Sequence, residues 1–130
     1  MRRLLPLALF AIFALISPPA AHAHGVGQSQ LTLRIDGRRL EGEFLLNLND
    51  ARKAIGLDPS LSGPARWDDL RAHEPQLREI VLRSLAVRAD SLACPLTLDP
   101  TPMTWNPRFD DVRFLVRATC PVAPTTPTVK

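Results

Sequence analysis

Beyond its first two dozen residues the chain has no apolar run approaching the ~20 residues that cross a bilayer. It has no glycine-rich phosphate loop and no nucleophile and base at a recognisable spacing. Its acidic pairs, Asp68-Asp69 and Asp110-Asp111, are adjacent in sequence. Neighbours on a strand point to opposite faces, and on a helix they lie about 100° apart, so neither pair converges on a substrate. These absences argue against an enzyme. Basic clusters are missing too. Of sixteen Lys and Arg, Arg2 and Arg3 belong to the extreme N-terminus, and the other fourteen are spread against thirteen Asp and Glu. That near balance leaves no footprint for nucleic acid or an anionic membrane. There are two cysteines, three histidines and no internal repeat.

What the N-terminus does have is an address. Arg2 and Arg3 give a positive start, residues 4–16 form an apolar stretch broken only by Pro6, and Ala21-His22-Ala23 fits the A-x-A cleavage rule. Residues 1–23 therefore read as a signal peptide, with His24 as the first mature residue; the alternative, a retained membrane anchor, is short for a span. The expected product is an exported protein, periplasmic or extracellular, soluble after cleavage and without a membrane span. Its 107 residues suffice for one small domain, residues 24–121, followed by a Pro- and Thr-rich tail at 122–130 that reads as disordered. Export favours a disulfide between Cys94 and Cys120. Two thiolates on a metal would need a companion ligand at suitable spacing, and the sequence offers none.

Along the mature chain, residues 30–35 alternate apolar and polar, Asp36-Gly37 signals a tight turn, and residues 39–48 form the partner strand with Leu40, Gly42, Phe44, Leu46 and Leu48 on one face. Asn49 or Asp50 can cap a short helix over 51–55, which Gly56 ends. Trp67, Leu70, Leu77, Ile80 and Val81 recur at helical spacing, with Asp68 and Asp69 expected in a first turn. Pro75 is expected to split this run into two helices at about His73, a single kinked helix being the alternative. Strand patterns return over 85–89, a turn at Asp90-Ser91, a short strand over 94–98, an irregular proline-dotted edge or loop over 100–107, and a long strand over 110–120. The reading is an α+β domain: a mainly antiparallel β-sheet of about five to six strands, helices on one face, one disulfide, and a degenerate EF-hand-like helix–loop–helix insertion.

That insertion carries the candidate chemistry. A calcium loop needs oxygen ligands at positions 1, 3 and 5, glycine at 6 and a bidentate glutamate at 12. Here Asp58, Ser60 and Ser62 take 1, 3 and 5, Gly63 takes 6, Arg66 falls at 9 and Asp69 at 12. Hydroxyls replace carboxylates, Arg66 brings positive charge, and Asp69 is one methylene short. The loop therefore allows weak calcium binding at most, and serves otherwise as a packing corner with Leu57 and Trp67 against the sheet. A second candidate is His24, whose free α-amino group and imidazole after cleavage form a chelate suited to copper or nickel. Trp67 and Trp105 read as packing.

Taken in order, AHAH at 21–24, LTLRIDG at 31–37, LEGEF at 40–44, AIGLD at 54–58, GPARWDDLR at 63–71, Cys94-Pro95 and Cys120-Pro121 form a set. This set resembles the exported N-terminal domain of HupE/UreJ-type membrane proteins. The resemblance covers about residues 22–121 and implies an accessory role beside nickel enzymes or metal transport, with an envelope or membrane protein as partner. The membrane helices of that family do not follow here, and the loop is poorer in acids, so transport is not carried over. The expectation is a non-catalytic exported accessory or interaction domain linked to nickel or copper handling. The alternative is a metal-binding protein using His24 or the loop at 58–69.

Overall fold

A computed structural model describes residues 29–125 and the short strand at 127–129. The expected signal peptide and His24 lie outside the described residues. Strands β1 (Gln30–Asp36) and β2 (Arg39–Asn47) form an antiparallel hairpin in unbroken register, from Gln30 opposite Leu45 to Asp36 opposite Arg39. Helices α1 (Leu48–Ala54), α2 (Pro64–Ala72) and α3 (Glu74–Ser84) follow. Then come β3 (Val87–Ala89), β4 (Leu92–Cys94), β5 (Leu96–Leu98), β6 (Thr104–Asn106), β7 (Asp111–Thr119) and β8 (Pro127–Val129). The main sheet runs β1–β2–β7–β5, with β6 also on β7; a smaller sheet runs β4–β3–β8, and every pairing is antiparallel. The α+β class, the antiparallel sheet and the disulfide are all present. No helix of the described residues is long and apolar enough to cross a membrane.

β7 is the axis of the sheet. Its alternation buries Val112, Phe114, Val116 and Ala118 and exposes the residues between them. On the buried side these meet Phe44 from β2, Leu48 and Ala51 from α1, Leu70 from α2, and Leu77 and Val81 from α3, so all three helices cover one face. Full burial of each large apolar side chain contributes about 1.5–3 kcal/mol. A second cluster, Leu40, Val87, Ala89, Ala118 and the Cys94–Cys120 disulfide, joins the small sheet to one end of the large one.

Several boundaries differ from the sequence reading, each for a local reason. β2 passes directly into α1: Asn47, not Asn49 or Asp50, is the cap, its side chain accepting from the Asn49 amide at 2.9 Å. The Leu48 amide donates to the Asp110 carbonyl at 2.8 Å, so Leu48 is a buried first helical residue and not the end of a strand. Gly56 ends α1 as expected, at φ 71°, with Leu57 N–H donating to Arg52 O and Gly56 N–H to Lys53 O, the paired bonds of a Schellman motif. α2 starts earlier than expected, at Pro64, which places Asp68 and Asp69 in its second turn. The break at His73 separates α2 from α3, and Pro75 sits in the first turn of α3, where its missing N–H costs nothing.

The expected strand over 94–98 is two strands in different sheets. Pro95 has no N–H to continue a ladder, and the chain changes sheet there. The proline-dotted segment holds β6, an edge strand of three residues placed between Pro102 and Pro107. Part of the tail expected to be disordered also pairs: β8 lies against β3, which gives the otherwise open edge of that short hairpin a partner.

Candidate functional site

The loop between α1 and α2 is held by an arginine. Leu48, Ala51 and Arg52 form the buried face of α1, and Arg52 is only 4% exposed. Its guanidinium donates to the Asp58 carbonyl at 2.5 Å, the Arg66 carbonyl at 2.7 Å and Asp69 Oδ2 at 2.9 Å. Residues 58, 66 and 69 are positions 1, 9 and 12 of the calcium-loop alignment. Of these oxygens only the Asp69 carboxylate is one that such a loop would turn toward an ion; the protein's own cation holds it, together with two backbone carbonyls of the loop. The Asp58 carboxylate is engaged elsewhere, accepting the Ser60 amide at 2.8 Å, and that bond is the main cause of a pKa below the usual 3.8. Ser60 and Ser62 are exposed, and no three His, Cys, Asp or Glu side chains among the described residues gather as a metal site. The four loop residues singled out for a metal, Asp58, Ser60, Ser62 and Asp69, are thus not assembled as ligands.

Arg66, read in sequence as a charge facing an ion, turns the other way. It makes two bonds to the Asp110 carboxylate, at 3.0 and 3.2 Å, and a third to Asn49 Oδ1 at 2.7 Å. Asp110, at φ 56°, also accepts the Trp105 indole N–H at 3.2 Å. Trp105 stacks on Trp67, ring centroids 6.0 Å apart, so the two tryptophans pack on each other at the edge of the core. This clasp ties the start of α2 to the turn before β7. A third arginine, Arg78, bonds Glu74 at 2.8 Å and the carbonyls of Asp99 and Thr101 at 2.8 and 2.5 Å, fixing the proline-rich segment to α3. His73 closes the helix break, its Nδ1 lying 2.8 Å from the Asp69 carbonyl; a carbonyl only accepts, so this nitrogen carries the proton.

Among the described residues, no helix lies on the sheet face opposite α1, α2 and α3. That face is mostly a charge ladder, with Glu41 opposite Arg117 and Glu43 3.5 Å from Arg113. At one end apolar side chains, Leu45 and Phe109, stand among the polar ones. Glu43, Leu45, Thr104, Asn106, Phe109 and Arg113 line a groove of mixed polarity, about 530 Å³. Phe109 at its rim is 63% exposed, and Leu115, one same-face row along from Leu45, is 40% exposed. Sequence reading missed this patch. The signal was available, since Leu45 and Leu115 occupy the polar-facing positions of strands whose other faces are already apolar.

Comparison of the chain with protein-family models, with curated proteins and with solved structures gave no match, so the functional reading rests on its residues and geometry.

Proposed function

We propose that this chain is a non-catalytic, exported interaction domain that docks on an envelope protein through the bare face of its main sheet, in a setting of nickel or copper handling. The observation that carries the docking reading is the exposure of Phe109 and Leu115 on this face, beside a groove lined by Leu45 with Glu43, Asp111 and Arg113. Large apolar side chains exposed on a face that is otherwise charged mark candidate interaction sites. The metal setting rests on the HupE/UreJ resemblance alone. A photo-crosslinking amino acid at position 109, in cells of the source organism, should capture an envelope protein, and Leu115→Asp should abolish that capture in a folded chain. Capture that is unchanged in Leu115→Asp, or absent at 109, refutes the docking reading.

A second reading, metal binding at the mature N-terminus, is favoured by the position of His24 directly after the A-x-A site. Its test is titration of Cu(II) and Ni(II) into protein with a native N-terminus, where His24→Ala should remove the heat of binding. An equal heat from the variant refutes it.

A further inference from the structure

The two edges of the main sheet are built differently. On one side β5 and β6 are three residues each, and Pro95, Pro100, Pro102 and Pro107 punctuate the run that carries them. Proline and short strands are common protections of an edge. On the other side β1 is seven residues long, has no proline or bulge, and among the described residues nothing pairs with its outer edge. Asp36 and Arg39 close a two-residue turn with positive φ at Gly37, so they exchange hydrogen bonds, as do Arg34, Thr32 and Gln30 with their partners on β2. The backbone N–H and C=O groups of Leu31, Leu33 and Ile35 therefore point outward. Their side chains share the helix-covered face, where Leu31 and Leu33 are half-buried and Ile35 is 43% exposed.

This edge is complementary to itself. An antiparallel pair of β1 strands centred on Leu33 sets Leu31 against Ile35, Leu33 against Leu33, Thr32 against Arg34 and Gln30 against Asp36. All three outward-facing residues then meet outward-facing residues, the apolar side chains form one ladder, and no like charges stand directly opposite. Neighbouring registers are poorer. Centring on Arg34 opposes two arginines, centring on Thr32 leaves Ile35 uncovered against Ser29, and centring on Ile35 drives each strand into the other's turn.

We infer that two copies of this chain associate about a two-fold axis at Leu33, joining their main sheets into one continuous sheet across the dimer. This does not depend on the docking face proposed above, which lies on the opposite face of the sheet from the β1 apolar ladder. The test uses the exported chain after signal cleavage, in light scattering coupled to size exclusion. The expected result is a concentration-dependent mass of two chains, reduced to one by Ile35→Lys, which alters an exposed side chain, and by Leu33→Pro, which removes an outward N–H along with the Leu33 side chain and is read only where circular dichroism shows the variant folded. Leu33→Cys should form an intermolecular disulfide faster than Thr32→Cys or Arg34→Cys. A one-chain mass at every concentration overturns the proposal. So does a dimer that persists in folded Ile35→Lys, or a monomer whose Leu33 amide is already protected from hydrogen exchange, since the edge is then covered by the chain's own residues.

Discussion

Replacing Arg52 by alanine should be among the most damaging single substitutions outside the apolar core. The guanidinium serves three oxygens, two backbone carbonyls and the Asp69 carboxylate, from a position 4% exposed. Removing one partner of a buried ion pair costs about 3–5 kcal/mol, because the remaining groups lose their partner without regaining full hydration. The Asp69 side chain is 28% exposed, so water can reach it in the variant, and the expected loss moves to the lower end, about 3 kcal/mol. Against the 5–15 kcal/mol typical of a domain, this is a large share. In urea it corresponds to a midpoint lowered by about 2 M, and in thermal melts to a Tm drop on the order of 15 °C. Arg52→Lys should fall between the two, since a single ammonium cannot span three separated acceptors. Millimolar calcium should leave the parent chain unchanged and restore part of the lost stability in Arg52→Ala, where the oxygens are freed. A loss below about 0.5 kcal/mol, the range of ordinary surface changes, would refute the view that Arg52 organises the loop.

Three further outcomes follow from the geometry. Cys94→Ala with Cys120→Ala should cost about 3.5 kcal/mol by loop-closure entropy, and amides of β3 and β4 should lose exchange protection before those of β2 and β7; equal protection in both sheets would count against the tie. Gly42→Ala would place a Cβ 1.8 Å from the Thr32 carbonyl oxygen, so β1 must shift; urea melts should show a loss of about 2 kcal/mol, with exchange rising first in β1. Asp99 is held below the ordinary 3.8, chiefly by the Thr101 hydroxyl and amide, with Arg117 and Arg78 adding to them. A carboxyl lowered in the folded state contributes stability above its unfolded value and loses it as pH falls through the folded one. Stability should therefore be flat down to about pH 4 and then decline, and Thr101→Val should move the decline to higher pH, read by circular dichroism against pH.

The regular parts of this fold were legible because each is set by local periodicity. The alternation of residues 112–118 places β7, Gly56 ends α1, and the Asp90-Ser91 turn appears where expected, both residues at positive φ. The junctions were less legible. The Asn47 cap depends on a bond to Asp110 from Leu48, a residue 62 positions away, and no local pattern encodes it. Pro95 could be read as a strand breaker, yet no local pattern says that the strands on its two sides join different sheets. What fills the loop was illegible for a chemical reason. Ligand spacing was judged within 58–69, while the group that fills the loop comes from α1, six residues upstream of Asp58. Arg52 carried a signal of its own, a charged residue four positions after Leu48 on the apolar face of a short helix. Arg66 was assigned the right charge and the wrong direction, because its partner Asp110 lies 44 positions on, in the turn before β7.

A loop held by a guanidinium behaves differently from one held by an ion. Arginine remains charged throughout the pH range in which proteins fold, and being covalently attached it cannot be diluted, chelated or exchanged. The corner between α1 and α2 is consequently insensitive to the ionic composition around the chain. Chelators such as EDTA, calcium depletion or a pulse of competing divalent metal should leave its shape, and the stacked tryptophans that depend on it, as they were. Whatever this domain senses or contacts, that corner reports a fixed geometry and not a changing concentration.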